Sequence, residues 1–588
     1  MGSVQTTSDC KPVGSYPPTG INVLIVGTGL AGLTASIECT RKGHNVRMLE
    51  RMDDINTAGD MYFMGHSAIQ FFRHWPDLLR EYESISMSNA WLQTFKHSGE
   101  QMIHPIKVSE RLRREGMGDT PPGAFQMRPL VYKMFVRQVE KLGVKIEFGK
   151  KVVDYQEDQA RKKAMVITDQ GETFEADVVI AADGVGSKSQ KLVGGEVRAR
   201  SSGRAMWRAA FSSDHLDKSP MAKEFFGGLG GEKNDEPMIR TFLGPGTYAL
   251  TLTRPGTIIW IMNHDVTGSE EESWTHTVES DEVLNNMDKG VGPVPWAPVF
   301  KELVKITPPQ TILNFELFWR NPQPSWCSPG GRVVQIGDAA HSFLPASGNG
   351  ATQAIEDAVS LASCLEIGGK ENISLSVRTQ IRFRFVRCAC AQKLGFSNAE
   401  LLQDTDWSKV KIDPKRAQPK LPAWIFKHDP EKYAYEHYWK MAETVKHGIP
   451  FDQVDTVPPN YPVGYRYESW SIDDIMEDLK NGRPVYMIDL SVFNTWSSSR
   501  QELVENGGAE TCNRVPTSSR IPSRTIATKG RVGSAAAAVA SGDVSEGVSI
   551  FVEERVQKSQ SGETLALPSR VEQSHYARKG RRRSAGAR

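Results

Sequence analysis

Apolar residues between residues 21 and 365 occur in two patterns, as short runs and as repeats at helical spacing. The short runs are rich in Val and Ile, and they predict buried strands at residues 23–26, 45–49, 178–182 and 333–336. After residue 350, apolar residues recur every three or four positions, which predicts a helix with one continuous buried face. Gly and Pro residues separate these segments, so the pattern indicates an α/β fold.

The pattern changes to alternation in the middle of the chain. Three runs alternate in the manner of a sheet with one buried face, at residues 202–211, 246–254 and 256–266. A helical pattern follows at residues 374–445, and we expect this stretch to pack on the outside of the body. The last 91 residues, 498–588, contain one Phe, one Tyr and no Trp, so they bury little apolar surface and are predicted to be disordered.

A glycine-rich turn follows the first predicted strand directly. Gly27, Gly29 and Gly32 have GxGxxG spacing, with Leu30 and Ala31 between the last two. The first glycine allows a tight turn, the second lets the backbone approach a pyrophosphate, and the third lets the helix lie close to the sheet. The N-terminus of the following helix directs its unpaired N–H groups toward phosphate. The turn therefore predicts a dinucleotide site.

An acidic residue ends the second predicted strand. Glu50 lies 18 residues after Gly32, where a carboxylate accepts hydrogen bonds from ribose hydroxyls, and Arg51 follows it in the predicted site. An ordinary glycine-rich turn is the alternative interpretation, and the strand, helix and acid in register argue against it. This first motif does not distinguish FAD from NAD(P).

Composition narrows the class of protein. The 588 residues include 71 basic and 70 acidic side chains, so charge gives no reason to expect nucleic acid or an anionic membrane as the main partner. The longest apolar runs are far shorter than the roughly 20 residues of a membrane-spanning helix. Seven cysteines without a CxxC pair predict a reducing compartment, no metal and a cytoplasmic location. We expect residues 1–20 to be a disordered leader, although the opening MGSVQT also fits a myristoylation pattern.

Two later segments indicate the cofactor. Residues 174–188 form a strand that ends at Asp183, and the strand at 333–336 leads to Asp338 and then to a loop with Gly348, Gly350 and Ala351. With the glycine-rich turn, these ordered motifs make residues 21–410 resemble the FAD-dependent aromatic hydroxylases. These are group A flavoprotein monooxygenases of the salicylate hydroxylase kind, and the resemblance is greatest to fungal members from secondary metabolism.

The resemblance implies roles for several of these residues. In the family, the aspartate that matches Asp338 binds the ribityl chain of FAD. The loop that matches Gly348–Ala351 lies against the flavin, and the helix after it is directed toward the pyrimidine edge. The matching Arg, here Arg128, contacts the phosphate or ribityl region, and Gly59 matches the glycine that follows the ribose-binding acid. Each assignment has an alternative. Asp338 could be a turn carboxylate, Gly348 and Gly350 could form an ordinary loop, and Arg128 could be a solvated residue at a helix start. The sequence departs from the family at Gln190, where an Arg is common.

Two residues in the predicted sheet are candidates for substrate contact. Trp207 and Arg208 match a Trp-Arg element of the family, in which the arginine faces the substrate. A fixed cation stabilises a phenolate and makes the ring electron-rich, so we predict that Arg208 activates the substrate. A structural salt bridge is the alternative for Arg208. Tyr248 is a weaker candidate, with core packing as its alternative.

The expected architecture is a Rossmann-type FAD-binding domain interleaved with a mixed β-sheet substrate domain. The predicted segments are an FAD-binding first part (21–200), a β-sheet substrate domain (201–325), an FAD-binding second part with long helices (326–410), and a helical or irregular extension (411–497).

The resemblance implies an enzyme, monomeric or homodimeric, that uses NADPH or NADH and O2 to hydroxylate a phenolic or polyketide-derived aromatic through a flavin C4a-hydroperoxide. Epoxidation of an alkene or terpenoid and a catalytically silent flavin-binding protein remain open alternatives.

Overall fold

The computed structural model describes residues 16–55, 59–113, 123–194, 199–266, 276–403, 405, 407–412, 417–481 and 483, all within one compact unit. The strands are β1 Asn22–Val26, β2 Asn45–Leu49, β3 Met61–Gly65, β4 Trp91–Lys96, β5 Gln101–Lys107, β6 Gly123–Met127, β7 Ile146–Glu147, β8 Val152–Asp158, β9 Lys163–Thr168, β10 Thr173–Ala176, β11 Val178–Ala181, β12 Arg200–Phe211, β13 Met238–Gly244, β14 Thr247–Arg254, β15 Thr257–Asp265, β16 Thr277–Val278, β17 Ile312–Trp319 and β18 Val333–Gln335.

The helices are α1 Leu30–Arg41, α2 His66–Ile69, α3 Pro76–Ile85, α4 Val108–Leu112, α5 Arg128–Lys141, α6 Gln190–Val193, α7 Pro220–Phe226, α8 Ser280–Asn286, α9 Pro298–Lys305, α10 Gly350–Gly368, α11 Ile373–Gln403, α12 Trp407–Ile412, α13 Ala423–Phe426, α14 Pro430–Lys446 and α15 Ile472–Lys480. Short 3-10 helices lie at Gln70–His74, Ser213–Lys218, Gly337–Ala339, Pro345–Ser347, Lys370–Asn372 and Phe451–Gln453. The predicted tail at 498–588 and the myristoylation pattern lie outside the described residues.

A five-stranded parallel sheet carries the glycine-rich turn. Its strand order is β18-β11-β1-β2-β7, and β1 lies between β2 and β11. Every residue of β11 and β18 is buried, as the continuous apolar runs of these strands require. Helices α1 and α10 pack on the same core, so the carboxyl ends of β1, β11 and β18 present their loops at one edge. The Rossmann-type architecture predicted from the sequence is therefore confirmed.

An eight-stranded mixed sheet forms the second layer. Its order is β16-β17-β12-β15-β14-β13-β4-β5, with β13 and β4 parallel and every other pair antiparallel. The three alternating runs of the sequence are β12, β14 and β15, in adjacent positions. Strands β4 and β5 come from within the segment 21–200 that the sequence assigns to FAD binding. They join this sheet because β4 pairs with β13, more than 140 residues away in sequence.

Helix α11 corrects the expectation that the stretch after residue 374 packs on the outside. Arg384 and Arg387 are fully buried in this helix, where they form ion pairs with Glu356 and Asp357 of α10. Buried charges persist only when they are paired, and the partners on α10 meet this requirement. Helix α11 is therefore part of the core beneath the cofactor loops. No helix among the described residues is long and apolar enough to cross a bilayer.

The end of the predicted leader also differs from the expectation. Tyr16 is buried, and its hydroxyl lies 3.0 Å from that of Tyr435. The N–H of Thr19 donates to the carbonyl of Gly43, where the chain turns after α1. Residues 16–20 are therefore fixed to the FAD-binding layer, because they satisfy backbone groups at the end of α1.

Candidate active site

The glycine-rich turn has the geometry that its spacing predicts. Gly27 has φ of +98°, and a Cβ there would lie 2.5 Å from the carbonyl oxygen of Ala182. A Cβ on Gly32 would lie 2.1 Å from the carbonyl oxygen of Gly27, so a larger residue would push α1 away from the sheet. A Cβ on Gly29 would meet no atom within 4 Å. The protein itself therefore does not require a glycine at 29, whereas a pyrophosphate approaching the backbone does.

Glu50 lies beside this turn at the end of β2. Its Oε2 accepts from the backbone N–H of Thr28 at 2.9 Å and from the hydroxyl of Thr28 at 2.7 Å. Its Oε1 accepts from the N–H of Met52 at 2.9 Å. A carboxylate has about four acceptor positions, so Glu50 is fixed in place and retains capacity for a ribose hydroxyl. Leu30 and Ala31 begin α1 in the same turn.

The end of β11 contributes a second carboxylate. Asp183 accepts from the hydroxyl of Tyr155 at 2.7 Å. Burial raises the pKa of Asp183, and the positive charge of Arg51 opposes this shift, so the two side chains are close enough to interact electrostatically. Arg51 itself is exposed, and Gly59, with φ of +118°, lies ahead of β3.

Asp338 lies in the loop after β18, where it is exposed while its neighbours Gly337 and Ala339 are buried. Desolvation raises the pKa of its carboxyl group, whereas the charges of His341 and Arg320 lower it. Arg320 donates to the carbonyl of Ala339 at 2.6 Å and to the carbonyl of Val185 at 2.7 Å. This guanidinium therefore connects the loop after β11 to the loop after β18.

Gln190 also belongs to this connection. It is buried, and its Oε1 accepts from Arg320 at 3.2 Å, while its Nε2 donates to Gln323 at 2.6 Å. Where the family commonly has an Arg at this position, Arg320 supplies a guanidinium from the end of β17. The sequence analysis missed Arg320, because a single Arg after a strand has no motif around it.

The Gly348–Ala351 loop begins α10 with its backbone exposed to ligand. Gly348 has φ of +60°, and a Cβ there would meet no atom within 4 Å. Asn349 is fully buried, and its Oδ1 has no hydrogen-bond partner among the described residues. Helix α10 has 19 residues and starts at Gly350, so its N-terminal N–H groups point out of this loop.

These features fit FAD. Open space at Gly29 and Gly348, the unpaired acceptor of Asn349 and carboxylates at both ends of the edge suit a dinucleotide whose ring reaches α10. If FAD binds here, Glu50 would hold its ribose, Asp338 would hold its ribityl chain, and the Gly348–Ala351 loop would hold its flavin ring.

Arg208 and Arg128 lie together at the junction of the two layers. Arg208 makes a side-on pair with Asp60, in which its Nε lies 2.5 Å from Oδ2 and its Nη2 donates to Oδ1. The side chains of Arg208 and Asp60 are 11% and 4% exposed. The N–H of Arg128 donates to the carbonyl of Asp60 at 2.8 Å, and burial lowers the pKa of Arg128. Asp60 is thus a site residue that the sequence analysis missed.

The salt bridge considered as the alternative for Arg208 is present. Arg208 also lies 5.5 Å from the ring centroid of Phe315, on the face of β12 that points to the cofactor layer. Tyr248 packs in a core cluster with Phe315, and burial raises the pKa of its hydroxyl. Tyr248 also lines a cavity on this face of the sheet, so the packing interpretation and the pocket interpretation both describe it.

One group of potential metal ligands occurs among the described residues: His341, Asp357 and Cys388. His341 Nε2 lies 2.6 Å from Asp357, so this imidazole joins the loop after β18 to α10. Arg384 donates to Asp357 at 2.8 Å and approaches the sulfur of Cys388 at 3.4 Å. A guanidinium therefore already neutralises the group where a metal would lie.

Comparisons with known proteins agree with this site. Residues 20–295 match the FAD binding domain family. The chain is 37% identical to FAD-dependent monooxygenase fsr3 of Gibberella fujikuroi over 471 residues, covering 80% of this chain and 88% of the relative. It is 37% identical over 480 residues to FAD-dependent monooxygenase dmxR9 of Cryptosporiopsis sp., covering 80% and 89%.

A solved structure supports the same assignment. The crystal structure of CtdE in complex with FAD and a substrate superposes with a TM-score of 0.64 at 30% identity, covering 72% of this chain and all of that one. The chain therefore belongs to the FAD-dependent monooxygenases.

Proposed function

We propose that this monooxygenase hydroxylates a phenolic or polyketide-derived aromatic molecule, with NADPH or NADH as reductant and O2 as the source of oxygen. The observation that carries the proposal is the buried guanidinium of Arg208 on the sheet face that also bears the cavity at Tyr248. FAD, when bound, accepts hydride and activates O2. The protein supplies binding, orientation and exclusion of water.

Arg208 acts on the substrate in this proposal. A guanidinium held in one orientation stabilises a phenolate, and ionisation of the phenol raises the electron density of its ring carbons. Asp60 holds Arg208 through two hydrogen bonds, so it is a positioning residue that fixes the direction of the cation. Little acid or base chemistry is required from other side chains.

The Asp60 pair also favours a second candidate. A carboxylate that already neutralises Arg208 leaves less charge for a phenolate, and epoxidation of an alkene or terpenoid needs no phenolate. The two candidates differ in substrate, because only hydroxylation should be faster for ionisable phenols than for their methyl ethers. We retain hydroxylation because the guanidinium is at the cavity side of the sheet, and we propose a cytoplasmic enzyme of fungal secondary metabolism.

The test begins with the visible spectrum of the purified protein. NADPH and NADH are then added anaerobically, with and without phenols, their methyl ethers, and alkenes. Flavin that bleaches faster with a phenol, followed by a hydroxylated product in air, supports the proposal. Faster bleaching and epoxide formation with alkenes alone would favour the second candidate. NADPH oxidation without any product would favour a catalytically silent flavoprotein.

A further inference from the structure

A cavity of about 380 Å³ lies between the mixed sheet and the cofactor loops. One wall is the sheet, with Tyr248 and Asn263. A second wall is Leu344–Ala346, immediately before the glycine loop expected to hold the flavin ring. A third is α11, and the fourth is α15, which contributes Met476 and Leu479. Helix α15 lies in the segment 411–497, which the sequence predicts only as a helical or irregular extension, so its presence at this cavity was not predicted.

Helix α15 is anchored firmly against the body. Ser471 and Asp474 form a capping box at its start, and the N–H of Ile472 donates to Asn321 at 2.9 Å. Arg200 pairs with Asp473 at 2.6 Å, although both side chains are substantially exposed. The helix therefore has a defined position relative to β12 and β17.

One apolar face of α15 both packs in the core and lines the cavity. Ile472, Ile475, Met476 and Leu479 follow the i, i+3, i+4, i+7 spacing of one helix face. Ile472 and Ile475 are buried in a cluster with Phe396. Met476 is 44% exposed, and it lines the cavity with Leu479. This face thus begins in the core and ends at the cavity.

Polar residues line the cavity on the sheet and on α11, among them Arg204, Asn263, Glu400 and Gln403. Asn263 is 1% exposed, and its Oδ1 accepts from the N–H of Tyr248 at 2.5 Å and from the hydroxyl of Thr247 at 3.2 Å, which fixes the orientation of the amide. Its Nδ2 has no partner among the described residues. The α15 wall contributes the apolar side chains of Met476 and Leu479.

The volume indicates the size of the occupant. An apolar cavity of about 150 Å³ holds one benzene ring. A cavity of about 380 Å³ is roughly two and a half times larger and falls within the roughly 300–1,000 Å³ of small-molecule sites. A single-ring phenol would leave much of it unfilled, whereas a planar molecule of two or three fused rings would fill more of it.

We infer that α15 is the size-determining wall of the substrate cavity, and that the substrate is a fused-ring aromatic whose far ring lies against Met476 and Leu479. This inference rests on the proposed function. It makes Met476 and Leu479 specificity-determining residues that belong to none of the cofactor motifs.

The experiment uses the FAD-loaded full chain and the variants Met476→Trp and Leu479→Trp. Phenol, 2-naphthol and a hydroxyanthraquinone serve as one-, two- and three-ring probes, with affinity measured from the change in flavin absorbance and turnover from product formation. The added indole should raise the Kd of the three-ring probe at least tenfold and that of phenol less than twofold. Met476 is partly exposed, so this substitution is compatible with folding, and the flavin content of each variant checks it.

Glu477→Ala is the matched control, because Glu477 is exposed on the same helix and does not line the cavity. It should leave all three affinities unchanged. Wild-type enzyme that binds and hydroxylates the probes while both Trp variants keep its size preference would overturn the role of α15 alone. Wild-type enzyme that binds none of the aromatic probes would overturn the proposed function and this inference together.

Discussion

The pair of Asp60 and Arg208 offers the sharpest test of how the site works. The variants are Arg208→Ala, Asp60→Asn and the double variant. Asp60→Asn keeps the shape of the side chain and its backbone carbonyl, which accepts from Arg128, but removes the charge that orients Arg208. Arg208→Ala should remain yellow and reducible but lose oxygen transfer. Asp60→Asn should lose part of the rate, because the guanidinium is no longer fixed.

The magnitude follows from the geometry of the pair. Two hydrogen bonds join the groups, and a hydrogen bond to a charged group contributes about 1.5–3 kcal/mol. Breaking a buried ion pair by removing one partner costs about 3–5 kcal/mol of folding stability, and the 11% exposure of Arg208 places this pair near the lower limit. The rate depends instead on the orientation of the guanidinium, which these hydrogen bonds fix, so we expect a coupling in kcat/KM of about 3 kcal/mol. That value corresponds to about a 100-fold change in kcat/KM.

The assay is a double-mutant cycle on kcat/KM for hydroxylated product, with flavin content and anaerobic reduction measured in parallel. If Asp60 acts through Arg208, the double variant should be about as slow as Arg208→Ala alone. The matched control is Arg254→Ala, which removes a partly buried guanidinium from another strand of the same sheet. It should not couple to Asp60→Asn.

Three results would refute the reasoning in different places. Losses that multiply in the double variant would show that Asp60 does not act through Arg208. Normal product formation by Arg208→Ala would remove its catalytic role and favour epoxidation. Loss of FAD from Arg208→Ala would show that the guanidinium holds the cofactor instead of the substrate.

Three further predictions address the cofactor site and the fold. Gly29→Ala should weaken FAD binding without lowering the unfolding temperature of the FAD-free protein, whereas Gly32→Ala should lower that temperature because its Cβ would meet a carbonyl at 2.1 Å. Flavin fluorescence and calorimetry of the FAD-free protein separate the two effects, because bound FAD would itself raise the unfolding temperature. Asp338→Ala should raise the Kd of FAD about 10- to 100-fold, since a charge-assisted hydrogen bond contributes about 1.5–3 kcal/mol, and a colourless wild-type protein would contradict the assignment. Burial lowers the pKa of His44 from 6.5 to about 4, so its stabilising contribution of up to about 3 kcal/mol is present above pH 6.5 and is lost as the pH falls to 4. Unfolding temperatures at pH 7 and 5 should therefore differ less in His44→Gln than in wild type, and an equal difference would contradict this.

The parts of the fold set by local chemistry could be predicted from the sequence. The strand at 23–26, the glycine turn and α1 follow one another within 20 residues. The reason for each residue type in them can be read from residues nearby in the sequence. Gly32 is needed because of Gly27, five residues away. The helix at Gly350 was predicted for the same reason, from an apolar repeat within a single segment.

Contacts between distant segments could not be predicted in this way. Asp60 and Arg208 are 148 positions apart, and no sequence motif includes both of them. The expectation that the stretch after residue 374 packs on the outside is wrong for α11, because its helical pattern does not show what its arginines pair with. Their partners Glu356 and Asp357 are on another helix, so only the tertiary fold makes their burial possible.

The cofactor site could be predicted from local sequence, whereas the substrate cavity depends on contacts between distant segments. Residues predicted to hold FAD lie at the ends of strands or the starts of helices, where single-segment motifs reveal them. The cavity instead draws residues from position 202 to position 479, and its α15 wall has no motif. Met476 and Leu479 belong to none of the cofactor motifs, so we expect changes there to alter the accepted substrate while the flavin content stays the same. Two monooxygenases that share all the cofactor motifs would then differ in substrate through this one helix.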